Sequence, residues 1–447
     1  MSAFVHLHCH TTWSLRDGAI PAEALPHVAA ALGYDAVAMT DHDALTGAVR
    51  FARGCRDAGV KPIYGAELTL TDGSHVTALA RDGIGYGNLC RLISASHLGN
   101  ERGKPGTTLE AIAERAEGLF ILSGCEKGPV ARLAAAGALP EAIATAERWR
   151  NAIGDGYRLE VFDHRSYGSR TLRDRLLRIA KDTDIPAVAT NDVHYATPRD
   201  AGTHELLNAI RDIVPLSKTQ AQRSNSEYYF KASNEMLSLF EDAPDAIDET
   251  RHIADECSFD LDLGVYHFPD VPIPKGETPT GLLARRCFEG VHRRYGKVTR
   301  EVDDRLQHEL RLINKLGFAA FFLLVSDIVD HTRHVLGVRC ACRGSAAGSL
   351  VCYVLGISDV DPVRYDLLFE RFMNLRREEI PDIDVDVESH RREDVLRYIL
   401  DAYGSEQTAI CCMVDTFRAR MAIREAGKAL GMPAEEIDVV AKAFPRV

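Results

Sequence analysis

The chain has no apolar run long enough to cross a bilayer; the nearest approach, Phe318 to Val325, is far short of the ~20 residues a spanning helix needs. Its first residues, Met1-Ser2-Ala3-Phe4-Val5-His6, lack the basic stretch and apolar core of an export signal. Eleven cysteines are present, an odd number without paired spacing, which speaks against a disulfide framework. Together these absences predict a cytoplasmic protein with no membrane partner. Internal repeats and low-complexity tracts are missing too. So is a basic balance: the formal net charge is −12, which at first sight argues against a nucleic-acid partner. The distribution corrects that impression, because residues 271–447 hold 26 basic against 27 acidic side chains while the first 270 hold 27 against 38. In the second half arginines cluster at Arg371, Arg376 and Arg377, at Arg391, Arg392 and Arg397, and at Arg418, Arg420 and Arg424. Such clusters either track a phosphate backbone or pair with glutamates nearby.

With 447 residues there is room for two to three domains, each with its own core. The second half is organised around Pro381-Asp382-Ile383-Asp384-Val385-Asp386-Val387, where apolar and acidic residues alternate strictly. That is the period of a strand, so all three carboxylates share one face. Like charges on one pleat repel each other unless a cation lies among them, and burying them unpaired is costly. Oxygen-only ligands suit Mg²⁺. Two such ions, bridged by shared carboxylates, clamp the attacking and leaving oxygens of an in-line phosphoryl displacement. The loop Arg343-Gly344-Ser345-Ala346-Ala347-Gly348-Ser349 supplies small residues that let backbone N–H groups approach a triphosphate, with Arg343 as a forked donor. Loop and strand together read as a nucleotidyltransferase site. The structural alternative is a tight turn beside a solvated acidic edge strand.

From residue 1 to about 200, β-like and helical stretches alternate. Strands are expected at Val5 to His8, Ala36 to Thr40, Pro62 to Leu68, Val76 to Ala80, Leu119 to Leu122, Tyr157 to Val161 and Ala187 to Thr190, with helices such as Pro21 to Leu32 and Thr107 to Ala116 between them. This alternation predicts a parallel sheet, and seven strands with helices outside predict a β/α barrel. Metal-type side chains fall at the strand ends: His8 and His10, Asp41 and His42, Glu67, Cys125, and Asp192 with His194. Asp17 and His75 complete the set from a loop and a strand start. Ligands gathered from several strand ends meet at one barrel mouth. A mixed His/Asp/Glu/Cys shell fits Zn²⁺, Mn²⁺ or Fe, and such a cluster activates water against a phosphodiester.

His6-Leu7-His8-Cys9-His10-Thr11, Thr40-Asp41-His42, Gly65-Ala66-Glu67 and Asn191-Asp192-Val193-His194-Tyr195 resemble the motifs of a PHP (polymerase and histidinol phosphatase) domain. The resemblance implies a seven-stranded, TIM-like β/α barrel with up to three Zn²⁺ or Mn²⁺ ions on His8, His10, Asp17, His42, Glu67, His75, Cys125, Asp192 and His194. It also implies either a 3′–5′ exonuclease or a metal-stabilised scaffold without turnover. Further on, Gly317-Phe318 with Phe321-Phe322-Leu323, the Arg343 to Leu350 loop, Asp361-Pro362, Leu368-Phe369-Glu370-Arg371-Phe372 and Pro381 to Asp386 resemble the palm of a bacterial C-family DNA polymerase, the DNA polymerase III alpha family. Thr416-Phe417-Arg418-Ala419-Arg420 with Ala422-Ile423-Arg424-Glu425 is similar to its error-prone branch.

That second resemblance implies a polymerase-β-like palm in which Asp384 and Asp386 hold two Mg²⁺ ions, Asp382 supports them, and Arg343, Gly344 and Ser345 cradle the incoming deoxynucleoside triphosphate above primer-template DNA. Expected boundaries are a barrel with a helical extension over 1–253, a first palm portion over 254–415 and the start of a thumb over 416–447. The family's third catalytic carboxylate, its fingers and its sliding-clamp contacts lie further along than Val447. The chain is therefore expected to be an N-terminal portion that does not copy DNA alone. Arg339-Cys340-Ala341-Cys342 departs from the family's glycine-rich sequence before the loop; the Cys-x-Cys reads as two small packing residues.

Overall fold

The computed structural model describes residues 3–218, 225–265, 271–373, 381–411 and 413–445. These form two compact units, one of residues 1–263 with 414–447 and one of residues 264–413.

In the first unit six strands, β1 (Ala36–His42), β2 (Lys61–Thr69), β3 (His75–Ala80), β4 (Leu119–Leu122), β5 (Tyr157–Val161) and β6 (Ala187–Ala189), lie in that order in one sheet. β1 and β2 are parallel, connected through the helix Ala48–Ala58, whose Ala48, Phe51, Ala52 and Cys55 recur at helical spacing and are buried. β3 runs antiparallel to both neighbours. Only residues 70–74 join β2 to β3, too few for the crossover a parallel pair needs, so the sheet is mixed where alternation predicts a parallel one. β4, β5 and β6 are parallel again.

The segment Val5 to His8, expected as the first strand, has no regular ladder among the described residues. It still bonds on both sides: Ala38 N donates to His6 O and Thr40 N to Cys9 O, while Val193 N donates to His8 O and His10 N to Val193 O. The chain start thus bridges β1 and the loop after β6, drawing the two sheet edges toward it. Apolar residues cover both faces of the sheet. Val5, Leu7, Ala36, Ala38, Phe120 and Leu122 pack on one side, and Val37, Met39, Ala66, Ile121 and Leu159 on the other. Double burial explains the near-continuous apolar runs of these strands. The segment expected to open a thumb packs within this unit, with helix Ala419–Ala429 lying on helix Ala201–Asp212 and on helix Ala434–Ala443.

The second unit is built on helices Pro279–Tyr295, Arg300–Lys315 and Ala319–His334, whose Leu283, Cys287, Leu306, Ile313, Phe322 and Leu323 form its core with Leu350, Val351 and Phe369. Its sheet is a two-stranded antiparallel ribbon of β7 (Cys340–Arg343) and β8 (Asp384–Val387). The arginines Arg376 and Arg377 lie outside the described residues. No single helix among the described residues is long and apolar enough to cross a membrane.

Candidate functional site

All nine ligand candidates of the first unit gather at one end of the sheet. His42 closes β1, Glu67 lies near the end of β2, and His75 opens β3, which places it at the same end because β3 runs backwards. Cys125 follows β4 through Gly124, whose φ of +90° and whose Cα facing His75 O leave no space for a side chain: a Cβ there would meet that oxygen at 1.9 Å. Asp192, at φ +43°, and His194 follow β6. A left-handed backbone is tolerated best by Asn, Asp and Gly, which suits an aspartate at this turn.

Glu67 is the hub. Its Oε2 stands 2.8 Å from His42 Nδ1, 3.2 Å from His75 Nδ1 and 3.7 Å from His10 Nε2, and its Oε1 is 3.6 Å from His8 Nε2. His8 Nε2 and His10 Nε2 are 3.1 Å apart, and Asp192 Oδ1 lies 3.7 and 3.4 Å from them. Asp17 Oδ2 faces His42 Nε2 at 3.1 Å and His194 Nε2 at 3.5 Å. Cys125 is buried next to Glu67, and burial together with that carboxylate and Asp192 pushes its thiol well above the ordinary range.

Titration follows from this crowding. Burial alone would lower His8 and His42, but Glu160 raises His8 to about 9, and Glu67 with Asp17 raises His42 to about 10. Burial lowers His10, with His194 and His42 adding to it, to about 3. Glu67 and Asp17 resist burial and stay well below the carboxylate range because histidines surround them.

The residues fit metal ions by two observations. Four three-residue sets, His10/His42/His194, His8/His10/Glu67, Asp17/His194/His204 and His42/Glu67/His75, each bring ligand atoms within 4.8 Å of one another. Glu67 Oε1 is moreover buried without a hydrogen-bond partner, an expensive condition for a carboxylate oxygen unless a cation takes it up.

Three residues correct or extend the sequence-based set. Asp41, counted with His42 at a strand end, turns away and accepts bonds from the backbone N–H and hydroxyl of both Thr11 and Ser14, at 2.7 to 3.0 Å, so it fastens the loop instead. Glu160 on β5 stands 2.6 Å from His8 Nδ1. His204, on helix Ala201–Asp212, places Nε2 3.0 Å from Asp17 Oδ1.

In the second unit the β7–β8 register sets Arg343 opposite Asp384. Arg343 Nη1 lies 3.0 Å from Asp384 Oδ2, and its Nε 3.1 Å from Asp386 Oδ1. Both carboxylates are thus on one face, as the alternation implies, and Asp382 also acts on Arg343. The cation among them in this structure is the exposed guanidinium of Arg343. Gly344 holds φ +75°, and Ser345 is exposed. Beneath the loop, Glu309 is fully buried and accepts from Ser349 Oγ at 2.8 Å, Leu350 N and Val351 N at 3.0 Å, and Arg305 Nε at 2.7 Å. Arg305 in turn donates to Gly348 O and Leu367 O. The loop is therefore held from below by the buried Glu309 carboxylate, paired with the half-buried Arg305.

The first unit carries a PHP domain: the model of that domain matches residues 6–164. Residues 281–447 match the bacterial DNA polymerase III alpha NTPase domain. An error-prone DNA polymerase of Symbiobacterium thermophilum is 40% identical over 460 residues, covering 99% of this chain and 42% of that protein. DNA polymerase III subunit alpha of Bacillus subtilis is 33% identical over 450 residues, covering 99% and 40%. Among solved structures, an amidohydrolase from Chromobacterium violaceum aligns over 42% of this chain and 87% of its own at 16% identity and a TM-score of 0.33, too distant to argue from. With both domains in this order, the chain belongs to the bacterial DNA polymerase III alpha family, which includes error-prone DNA polymerases. The chain spans about two fifths of the length of the curated relatives it matches.

Proposed function

We propose that this chain is the PHP and first palm portion of a template-directed DNA polymerase acting in replication or error-prone repair, with a metal centre in a TIM-like barrel and a nucleotidyl-transfer site on a polymerase-β-like palm. The observation that carries the palm reading is the register of β7 and β8, which sets a cationic, glycine-bearing turn against two carboxylates on one face. Asp384 and Asp386, supported by Asp382, would hold two Mg²⁺ ions, which when bound supply charge neutralisation on a primer 3′ oxygen and on the departing pyrophosphate. Gly344 and Ser345 present backbone N–H groups to the triphosphate, and Arg343 exchanges its aspartates for phosphate oxygens. Primer-template DNA and deoxynucleoside triphosphates are the partners, with a sliding clamp engaged by regions outside this chain; the compartment is the cytoplasm. Binding of a deoxynucleoside triphosphate with Mg²⁺ to the 447-residue chain, measured by calorimetry, tests the palm. Loss of binding in Asp384→Asn and Arg343→Ala supports it, and equal binding by all three proteins contradicts it.

A second reading concerns the barrel, where His8, His10, Asp17, His42, Glu67, His75, Cys125, Asp192 and His194 would hold Zn²⁺ or Mn²⁺. Supplied with such ions, the site offers an activated water to a phosphodiester, and 3′–5′ exonuclease activity follows. The crowded donors around Glu67 favour it. Nucleotide release from a primer end, abolished by His10→Ala and untouched by Asp384→Ala, identifies this activity. A chelator-sensitive melting temperature without nuclease activity identifies a scaffold instead.

A further inference from the structure

We infer that Glu160 is a positioning residue of the barrel's metal centre, holding His8 so that Nε2 faces the ions; the inference rests on reading the cluster as a metal centre. Glu160 is fully buried, next to last in β5, a strand buried along its whole length. An ionised carboxylate is costly in such a place unless it is paired. Its backbone N–H donates to Ser123 Oγ at 2.9 Å, which fixes the strand there. Oε1 accepts from Thr190 Oγ1 at 2.7 Å and stands 2.6 Å from His8 Nδ1, while Thr77 Oγ1 lies 3.4 Å from Oε2.

The threonine hydroxyls would be served as well by a glutamine. The negative charge has a purpose only toward the imidazole. A carboxylate at Nδ1 keeps the ring proton on that nitrogen and leaves the lone pair on Nε2. Nε2 is the atom that points at the cluster, 3.1 Å from His10 Nε2, 3.6 Å from Glu67 Oε1 and 3.7 Å from Asp192 Oδ1. Glu160 lies on the far side of the ring and reaches the ions only through His8. Carboxylates in that position raise the basicity of the ligating nitrogen and fix the ring's orientation. Thr190, which precedes Asn191 and Asp192 in the same loop, ties the carboxylate to the element that carries two other ligands.

Calorimetric titration of the chelator-stripped 447-residue chain with Zn²⁺ tests this, using wild type, Glu160→Gln, Thr190→Val and His8→Ala, with circular dichroism to show that each variant is folded. Glu160→Gln is expected to bind as many ions as wild type but about 10- to 100-fold more weakly at one of them. Thr190→Val, which keeps the charge but unties Glu160 from the loop, is expected to weaken binding less than Glu160→Gln does, and His8→Ala to bind fewer ions. A folded Glu160→Gln with wild-type affinity, alongside a defective His8→Ala, overturns the role of Glu160 and leaves the metal centre standing. A wild-type chain that takes up no Zn²⁺ overturns both. Nitrogen-15 shifts of His8 in the Zn²⁺-loaded wild type give an independent reading if Glu160→Gln does not fold: a protonated Nδ1 with metallated Nε2 is expected, and the reverse assignment contradicts the proposal.

Discussion

Asp17 Oδ1 stands 3.0 Å from His204 Nε2, while the other oxygen of the same carboxylate faces His42 and His194. The helix Ala201–Asp212 therefore clamps a ligand candidate that comes from a loop far earlier in the chain. His204→Ala leaves Oδ1 with Arg211, 3.4 Å away, as its remaining partner. The substitution is expected to lower folding stability by about 1–3 kcal/mol, since a buried acceptor loses its donor. Metal affinity should fall at least about tenfold as Asp17 gains freedom. Chemical denaturation of the stripped protein and a Zn²⁺ isotherm measure the two effects separately.

Proton release should accompany metal uptake. His8 and His42 have folded-state values of about 9 and 10, above the ordinary histidine value, so the stability they lend the metal-free protein is complete below pH ~6.5 and fades as pH rises toward 9 to 10. Asp17 and Glu67 are depressed, so their contribution persists until pH falls below the usual carboxylate range. Ligating imidazoles must be neutral and a ligating thiol ionised, so at pH ~7.5 about three protons, from His8, His42 and Cys125, should leave when metal fills all these positions. Calorimetry in buffers of different ionisation enthalpy reads that number directly; heats independent of the buffer would refute it.

Arg343 and Asp386 are exposed and Asp384 is half-buried, so Arg343→Ala should barely move the melting temperature. Mg²⁺ should nevertheless bind several-fold more tightly to that variant, because Asp384 and Asp386 lose the guanidinium that competes with the ion. Unchanged Mg²⁺ affinity would mean that the two aspartates do not form the cation site.

Glu309→Ala strips acceptors from Ser349 Oγ, Leu350 N, Val351 N and Arg305 at once. Each buried donor left without a partner costs about 1–3 kcal/mol, so a loss of at least ~3 kcal/mol is expected in urea denaturation of the second unit. Glu309→Gln, which keeps one acceptor oxygen, should retain part of that stability.

Six of the seven expected strands were legible to within two residues at either end, most of them because strands buried on both faces write themselves as near-continuous apolar runs. Their directions were less legible: the hairpin at residues 70–74 reverses β3, and nothing in the apolar pattern of β3 tells up from down. The nine ligand candidates were readable from strand ends and motif resemblance together. Glu160 was hidden since a charged residue in an alternating Arg-Leu-Glu-Val segment reads as solvent-facing, whereas β5 is enclosed on both sides. His204 sits on a helix where His204, Asn208 and Arg211 form an ordinary polar stripe, and only the fold brings that stripe to Asp17. For Asp41 and His42, strand alternation already implies that neighbours face opposite ways, and the structure turns His42 toward Glu67 and Asp41 toward Thr11.

Above all, the donors around Glu67 are held to exist for metal ions. Elemental analysis of the 447-residue protein, purified without chelator and dialysed, beside Glu67→Ala, tests this most directly. Up to three Zn²⁺ or Mn²⁺ per wild-type chain are expected, with a marked loss in the variant and a lower melting temperature after chelation. A wild-type chain that retains no transition metal, and whose melting temperature ignores chelators and added Zn²⁺ or Mn²⁺ alike, would contradict it.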